Sequence, residues 1–294
     1  MTTVCIAAMI IVAFTADLPS HDLFKLGRVS RNYLDHGEWW RLLSAPLLHL
    51  SVGHLVNNVL ALVLIGMRLE ALIGSLALIS IFPVSAFSGS LGSAAFNPPN
   101  VASVGASGAI QGLLAALYVA GFTCATTNDD SRCIRSDALW FFILGMAYSS
   151  ISEFTGKAFG VDLAAHVCGG IAGGLIAVAL LFSRILPARQ DTLSESRRRA
   201  LIMCSIASLV AMNIVLLIII RTKANIPYAS IHFWGSIFVI TSAIMLISLD
   251  KIATSSPAAL GKPFSARRII YTQGGTILLI CGFGLIWALC MYFR

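Results

Sequence analysis

Residues 162–185 read DLAAHVCGGIAGGLIAVALLFSRI. Between Asp162 and Arg184 no side chain is charged. A helix that crosses a bilayer needs about 20 mostly apolar residues, and this run supplies them. One titratable imidazole, His166, sits near its start. Gly169 and Gly173 follow at three and seven positions, on the same helical face as His166. Small residues at that spacing let membrane helices approach closely. The stretch reads as a membrane helix, packed tightly against a neighbour, with a histidine close to one surface.

The rest of the chain has the same character. Of 294 residues, 57% are hydrophobic and 11% are charged, and the mean hydropathy is +0.87. Soluble domains carry about 25% charged residues. Disordered, collagen-like and disulfide-scaffold classes are excluded. The chain is expected to be an all-α polytopic membrane protein. About nine spans are expected, near 3–18, 53–73, 75–95, 104–124, 136–153, 162–185, 200–220, 227–249 and 269–293. The first run, Val4 to Phe14, lacks a basic leader and reads as a membrane helix rather than a signal peptide.

The net charge of +7 fits basic loops beside anionic lipid rather than nucleic-acid binding. With the N-terminus inside, 12 of the 20 Lys and Arg residues fall on the cytoplasmic side, including Arg197 to Arg199. The seven cysteines form no CxxC pair or metal spacing and read as small hydrophobes, so no metal is expected. Three segments follow: a six-span core over 1–186, a basic linker over 187–199, and three further spans over 200–294. The loop over 17–52 is far longer than a turn needs and carries Trp39 and Trp40, side chains suited to a membrane–water interface.

No Asp or Glu lies mid-span, which weakens a proton-coupled transporter reading. The polar residues at membrane depth are His54, Asn57 and Asn58 at the start of the second span, Ser107 at the start of the fourth, and His166 at the start of the sixth. These three spans run in the same direction, so the residues share one leaflet. A serine becomes a nucleophile when a base takes its proton, and a nearby imidazole can do so at neutral pH. Attack on a carbonyl creates an oxyanion that needs donors. His54 and Asn58, four apart, project from one helical face, and the Ser107 backbone N–H adds a third donor. Gly105, Gly108 and Gly112 around Ser107 permit the close approach that such a Ser–His dyad requires. A plainer reading stays open for each residue: Ser107 as a helix-start serine, and His54 and Asn58 as interhelical hydrogen-bonding groups. Asp162 is either the N-cap of the sixth span or an orienting partner for His166. Asn57 points about 100° away from Asn58.

These residues resemble the rhomboid intramembrane serine proteases. The resemblance is carried by GEWWRLL at 37–43, His49-x4-His54-x3-Asn58, Gly66-x2-Leu69-Glu70, Gly105-Ala-Ser-Gly108 and Ala165-His166-x2-Gly169-x3-Gly173, in the family's order over about residues 30–185. It implies a six-helix rhomboid-like core with three additional C-terminal helices. It also implies Ser107 as nucleophile, His166 as general base, and His54 and Asn58 as oxyanion donors. Trp40, Arg41 and His49 would belong to an outer loop partly in the membrane. The implied substrates are single-span membrane proteins cut near the outer face, after a small residue, without a cofactor. The expected location is a prokaryotic inner membrane with the site toward the outer face. One position departs from the family: four residues after Ser107, where an aromatic side chain is usual, stands Gln111. That leaves a second reading, a catalytically silent relative that binds membrane-protein clients.

Overall fold

The structure, a computed structural model, describes residues 1–16, 23–123, 128–154, 161–183 and 195–222. The chain divides into two compact units, Met1–Ala224 and Asn225–Arg294, and every described residue lies in the first. The expected spans near 227–249 and 269–293 lie outside the described residues.

Ten α-helices are described. They are α1 (Thr2–Ala16), α2 (Leu23–Gly27), α3 (Arg31–Asp35), α4 (Arg41–Ser44), α5 (Val52–Ile73), α6 (Ser75–Phe96), α7 (Ser107–Thr123), α8 (Asn128–Phe154), α9 (Leu163–Phe182) and α10 (Glu195–Arg221). A 3-10 turn, Ala45–Leu47, follows α4. Among the described residues there is no strand, only an isolated bridge between Val29 and Ser103. The fold is all-α and polytopic. α5, α6, α9 and the Arg198–Arg221 part of α10 are long and apolar enough to cross a membrane, and Thr2–Val12 and Ser107–Phe122 are shorter apolar helices.

The helix ends follow local chemistry. Ser51 caps α5 by accepting from the His54 N–H at 3.1 Å. α5 stops at Gly74, whose φ of +84° turns the chain directly into α6. Sequence reading placed the fourth span from 104. The helix begins instead at Ser107, because Gly105 takes a φ of +120° that no helix contains. α8 begins eight residues earlier than hydropathy suggested. Its polar first turns are held by Ser131, which donates to the Gly121 carbonyl at 2.6 Å, and by Arg135, whose guanidinium lies 4.2 Å from the Phe122 ring centre.

α6, α7 and α9 form the centre. α5 and α8 flank α7, and α10 lies against α6 and α9. Ser85, Ser88, Gly89, Ser90, Leu91, Gly92 and Ser93 are all buried on α6, which has core on every side there. The peripheral helices present apolar stripes outward: Val56, Leu60, Leu64 and Met67 on α5, and Met203, Ile206, Val210, Ile214 and Ile218 on α10. Stripes of this size would be untenable in water and suit acyl chains. A hydrogen bond from Ser88 Oγ to Asn213 Oδ1 at 3.0 Å ties α10 to α6.

Candidate active site

The segment between α2 and α5 is the long loop, and charged side chains hold it in shape. Arg41 is buried. Its Nη1 donates to the Lys25 and Arg28 carbonyls at 2.6 and 2.9 Å, its Nε donates to Glu38 Oε2 at 2.8 Å, and its guanidinium stacks 3.8 Å from the Tyr33 ring centre. A charge so enclosed is kept by the number of acceptors around it. Arg31, also buried, donates to the Ala94 and Ala95 carbonyls at the C-terminal end of α6, where the helix dipole favours a cation. Trp40 is exposed, with its indole N–H directed to the Leu26 carbonyl at 3.3 Å.

This loop also fixes the chain that leads into α7. Val29 and Ser103 exchange backbone hydrogen bonds at 3.0 and 2.8 Å, and the Gly105 N–H donates to the Ala45 carbonyl at 3.0 Å. Ser107, half-buried, is then the first residue of α7.

His54 and Asn58 reach the same segment from α5. A Cβ added to Gly105 would lie 2.6 Å from His54 Cε1, 2.9 Å from His54 Nε2 and 3.7 Å from Asn58 Nδ2. Both side chains therefore stand beside the backbone two residues before Ser107. Asn58 is buried, and its Nδ2 makes no hydrogen bond. A buried donor of this kind is costly unless something uses it. Asn57 is exposed while Asn58 is buried, as a separation of about 100° around the helix predicts.

His166 comes from the other direction. Asp162 caps α9, its Oδ1 accepting from the Ala165 N–H at 2.9 Å, while Oδ2 accepts from Asn97 Nδ2 at 2.9 Å. The cap reading of Asp162 is the one realised, and it ties the start of α9 to the end of α6. His166 is buried in the next turn.

Glycines close the gap between α7 and α9. A Cβ on Gly108 would lie 2.9 Å from the Ala165 carbonyl oxygen, and one on Gly169 would run into the Gly108 carbonyl. One turn on, a Cβ on Gly173 would strike the Gly112 backbone, and one on Gly112 would strike Ser85 Oγ. Gly108 adjoins Ser107, and Ala165 adjoins His166. The two backbones thus touch at the residues next to the proposed nucleophile and base.

Gln111 lies buried one turn below Ser107. Its Nε2 faces Gly145 of α8, and its Oε1 makes no hydrogen bond. An aromatic ring is nevertheless close. Phe142 of α8 packs on Gly170, with its Cε2 2.9 Å from where a Cβ would stand, and the Gln111 Cβ lies 3.9 Å from that same point.

His49 follows the 3-10 turn. Its ring meets that of His54 edge to face, with centroids 5.1 Å apart at 72°. Burial lowers its pKa to about 4, His54 adds to the shift, and the Leu47 backbone opposes it. Among the described residues no cluster of His, Cys, Asp and Glu is arranged to hold a metal ion.

Sequence reasoning missed Asn97, Phe142 and Ser85. Only Asn97 carried a local signal, the turn-forming Asn97-Pro98-Pro99. The other two act across helices far apart in sequence.

Comparison with known proteins locates the same region. A family model for the rhomboid domain matches residues 36–184. The rhomboid protease GluP of Bacillus subtilis is 34% identical over 54% of this chain and 29% of its own length. RHOMBOID-like protein 5 of Arabidopsis thaliana is 32% identical over 54% of this chain and 50% of its own. The rhomboid protease AarA of Providencia stuartii is 31% identical over 49% of this chain and 57% of its own. The match thus spans from 29% to 57% of the length of these relatives.

Proposed function

The chain belongs to the rhomboid family, and from that premise we propose that it is an intramembrane serine endopeptidase working through a Ser107–His166 dyad. The observation that carries the reading is the backbone contact of Gly108 with Ala165 and Gly169, beside the serine and the histidine.

In the proposed reaction His166 takes the proton of Ser107 Oγ as that oxygen attacks a substrate peptide carbonyl. The carbonyl oxygen becomes an oxyanion. It accepts from His54 Nε2–H, Asn58 Nδ2–H and the Ser107 N–H, donors that need no reorganisation at the moment of reaction. His166 then gives its proton to the leaving amine, and the amine-side fragment departs. A water, deprotonated by His166, hydrolyses the acyl-serine, and the serine recovers its proton. No metal or cofactor enters this scheme.

The substrates are proposed to be single-span membrane proteins, cut near the outer face. α7 lies between α5 and α8, whose outer faces are apolar. A substrate helix would reach the start of α7 laterally between them. The Lys/Arg distribution supports a site on the outer side of the membrane, and that membrane is proposed to be a prokaryotic inner membrane.

The test is labelling of purified protein by a fluorescent phosphonate probe for activated serines, with Ser107→Ala and His166→Ala alongside. Wild-type labelling that both variants lose is the expected result. A well-folded wild type that takes no label would favour the client-binding reading, for which Gln111 is the relevant departure. Cleavage of a single-span substrate by Ser107→Ala at the wild-type bond would remove Ser107 from the mechanism.

A further inference from the structure

The donor assigned to His54 is Nε2, the ring nitrogen beside Gly105. The last side-chain torsion of a histidine is broad and roughly two-fold, so the backbone alone does not decide which ring edge faces a given point. Turned by half a rotation, His54 would present a carbon where Nε2 now stands. Nothing on the His54 ring itself supplies a lock: Nδ1 is buried and makes no hydrogen bond. Something must hold the ring by packing.

The ring that packs on it is His49. The two meet edge to face at 5.1 Å, a favoured aromatic geometry. Neither nitrogen of His49 makes a hydrogen bond of normal geometry, so contact through the ring is its visible role. His49 is itself well anchored. It leaves the Ala45–Leu47 turn, and the Ala45 carbonyl at the start of that turn accepts from the Gly105 N–H. The same short segment therefore braces both sides of the candidate oxyanion pocket, the Gly105 backbone directly and His54 through His49.

We infer that His49 is a positioning residue, whose ring holds His54 in the orientation that aims Nε2 at the candidate oxyanion pocket. Burial keeps the His49 ring neutral near pH 7, so it packs as an aromatic group rather than as a cation. This inference rests on the protease reading for its purpose, but not for its geometry.

Two measurements test it. The first is the rate of phosphonate labelling at Ser107 in full-length protein. His49→Ala is expected to slow labelling roughly tenfold to a hundredfold, short of the ~100- to 1000-fold attached to removing an oxyanion donor outright. His49→Phe, which keeps a ring, should stay within about threefold of wild type. Added to His54→Ala, His49→Ala should cost nothing more, since residues acting through one another are not additive. An equal loss in both backgrounds, or rescue by Asn but not by Phe, would overturn the inference. The second measurement does not depend on catalysis. In 15N-histidine-labelled Ser107→Ala protein, His49→Ala should change the His54 ring resonances, and His49→Phe should leave them near their original positions. Unchanged His54 resonances in His49→Ala would refute positioning whether or not Ser107 is a nucleophile. A wild type that takes no probe would count against the protease reading alone, leaving the resonances to decide the role of His49.

Discussion

Gly105 is the residue where backbone conformation and side-chain proximity coincide. Its φ of +120° costs any L residue about 1–3 kcal/mol, and a Cβ there would push into His54. Gly105→Ala is therefore expected to cut phosphonate labelling at Ser107 by about a hundredfold or more, the scale of a lost oxyanion donor, while thermal stability falls modestly. Unaltered labelling would show that His54 does not need its present place. The spacing of His54 and Asn58 was legible in the sequence because four residues make one helical turn. The Gly105 contact was not, since it joins two helices across an intervening loop and α6. His49 adds a pH dependence with a definite sign. Its folded pKa is about 4 against an ordinary 6.5. The unfolded chain therefore takes up a proton that the folded protein refuses between those values. Stability from this group is complete above pH 6.5, declines as pH falls through the window, and levels off below 4. The melting temperature of wild type should fall relative to that of His49→Phe, which lacks the titrating group, between pH 7 and 4. A constant difference would count against a buried neutral His49.

The start of α9 shows how a helix end places a side chain. Asp162 satisfies the Ala165 N–H and accepts from Asn97 at the end of α6, one turn from His166. Asp162→Ala is expected to lower stability by about 1 kcal/mol, the usual cost of losing such a cap. Asp162→Asn, which retains a capping oxygen, should lose less. Equal melting temperatures for Asp162→Ala and wild type would mean the cap carries no stability. The apolar helices could be anticipated from run length, and α5, α7 and α9 also from the polar residues gathered at their starts. The early start of α8 could not. Asn128 to Asp137 is too polar for a hydropathy window, and its helix is stabilised by partners elsewhere in the chain, such as Arg68, which pairs with Asp137 at 2.7 Å. Gln111 was legible as a departure. That Phe142 brings a ring to the same neighbourhood from α8 depended on helix packing that no local pattern encodes.

At the scale of the whole described unit, the helix ends sort into two faces. The loop, the starts of α5, α7 and α9 and the end of α6 gather on one. α10 finishes there too, with the Arg221 guanidinium 5.0 Å from the Trp39 ring centre. The other face holds the α5–α6 turn, where Thr2 of α1 donates to Glu70 from its backbone at 3.0 Å and from Oγ1 at 2.8 Å. It also holds the Arg68–Asp137 pair. This alternation is the one that counting spans from the N-terminus requires, and it makes α10 an odd-numbered span running toward the loop. The sorting fixes which groups share a side, and the distribution of Lys and Arg supports the proposed assignment of the sides. Cys133, exposed near the start of α8, belongs to the Arg68 face, and exposed Val101 belongs to the loop face. In variants whose remaining cysteines are replaced, a membrane-impermeant maleimide applied to intact cells should label Val101→Cys. Cys133 should react only after the membrane is opened. Labelling of both from outside would break the two-face arrangement. Labelling of Cys133 alone would keep the arrangement and invert it, placing the Ser107 end of α7 toward the cytoplasm. Proteolysis near the outer surface would then be excluded, because the same three helix starts that gather the polar residues would open to the cell interior.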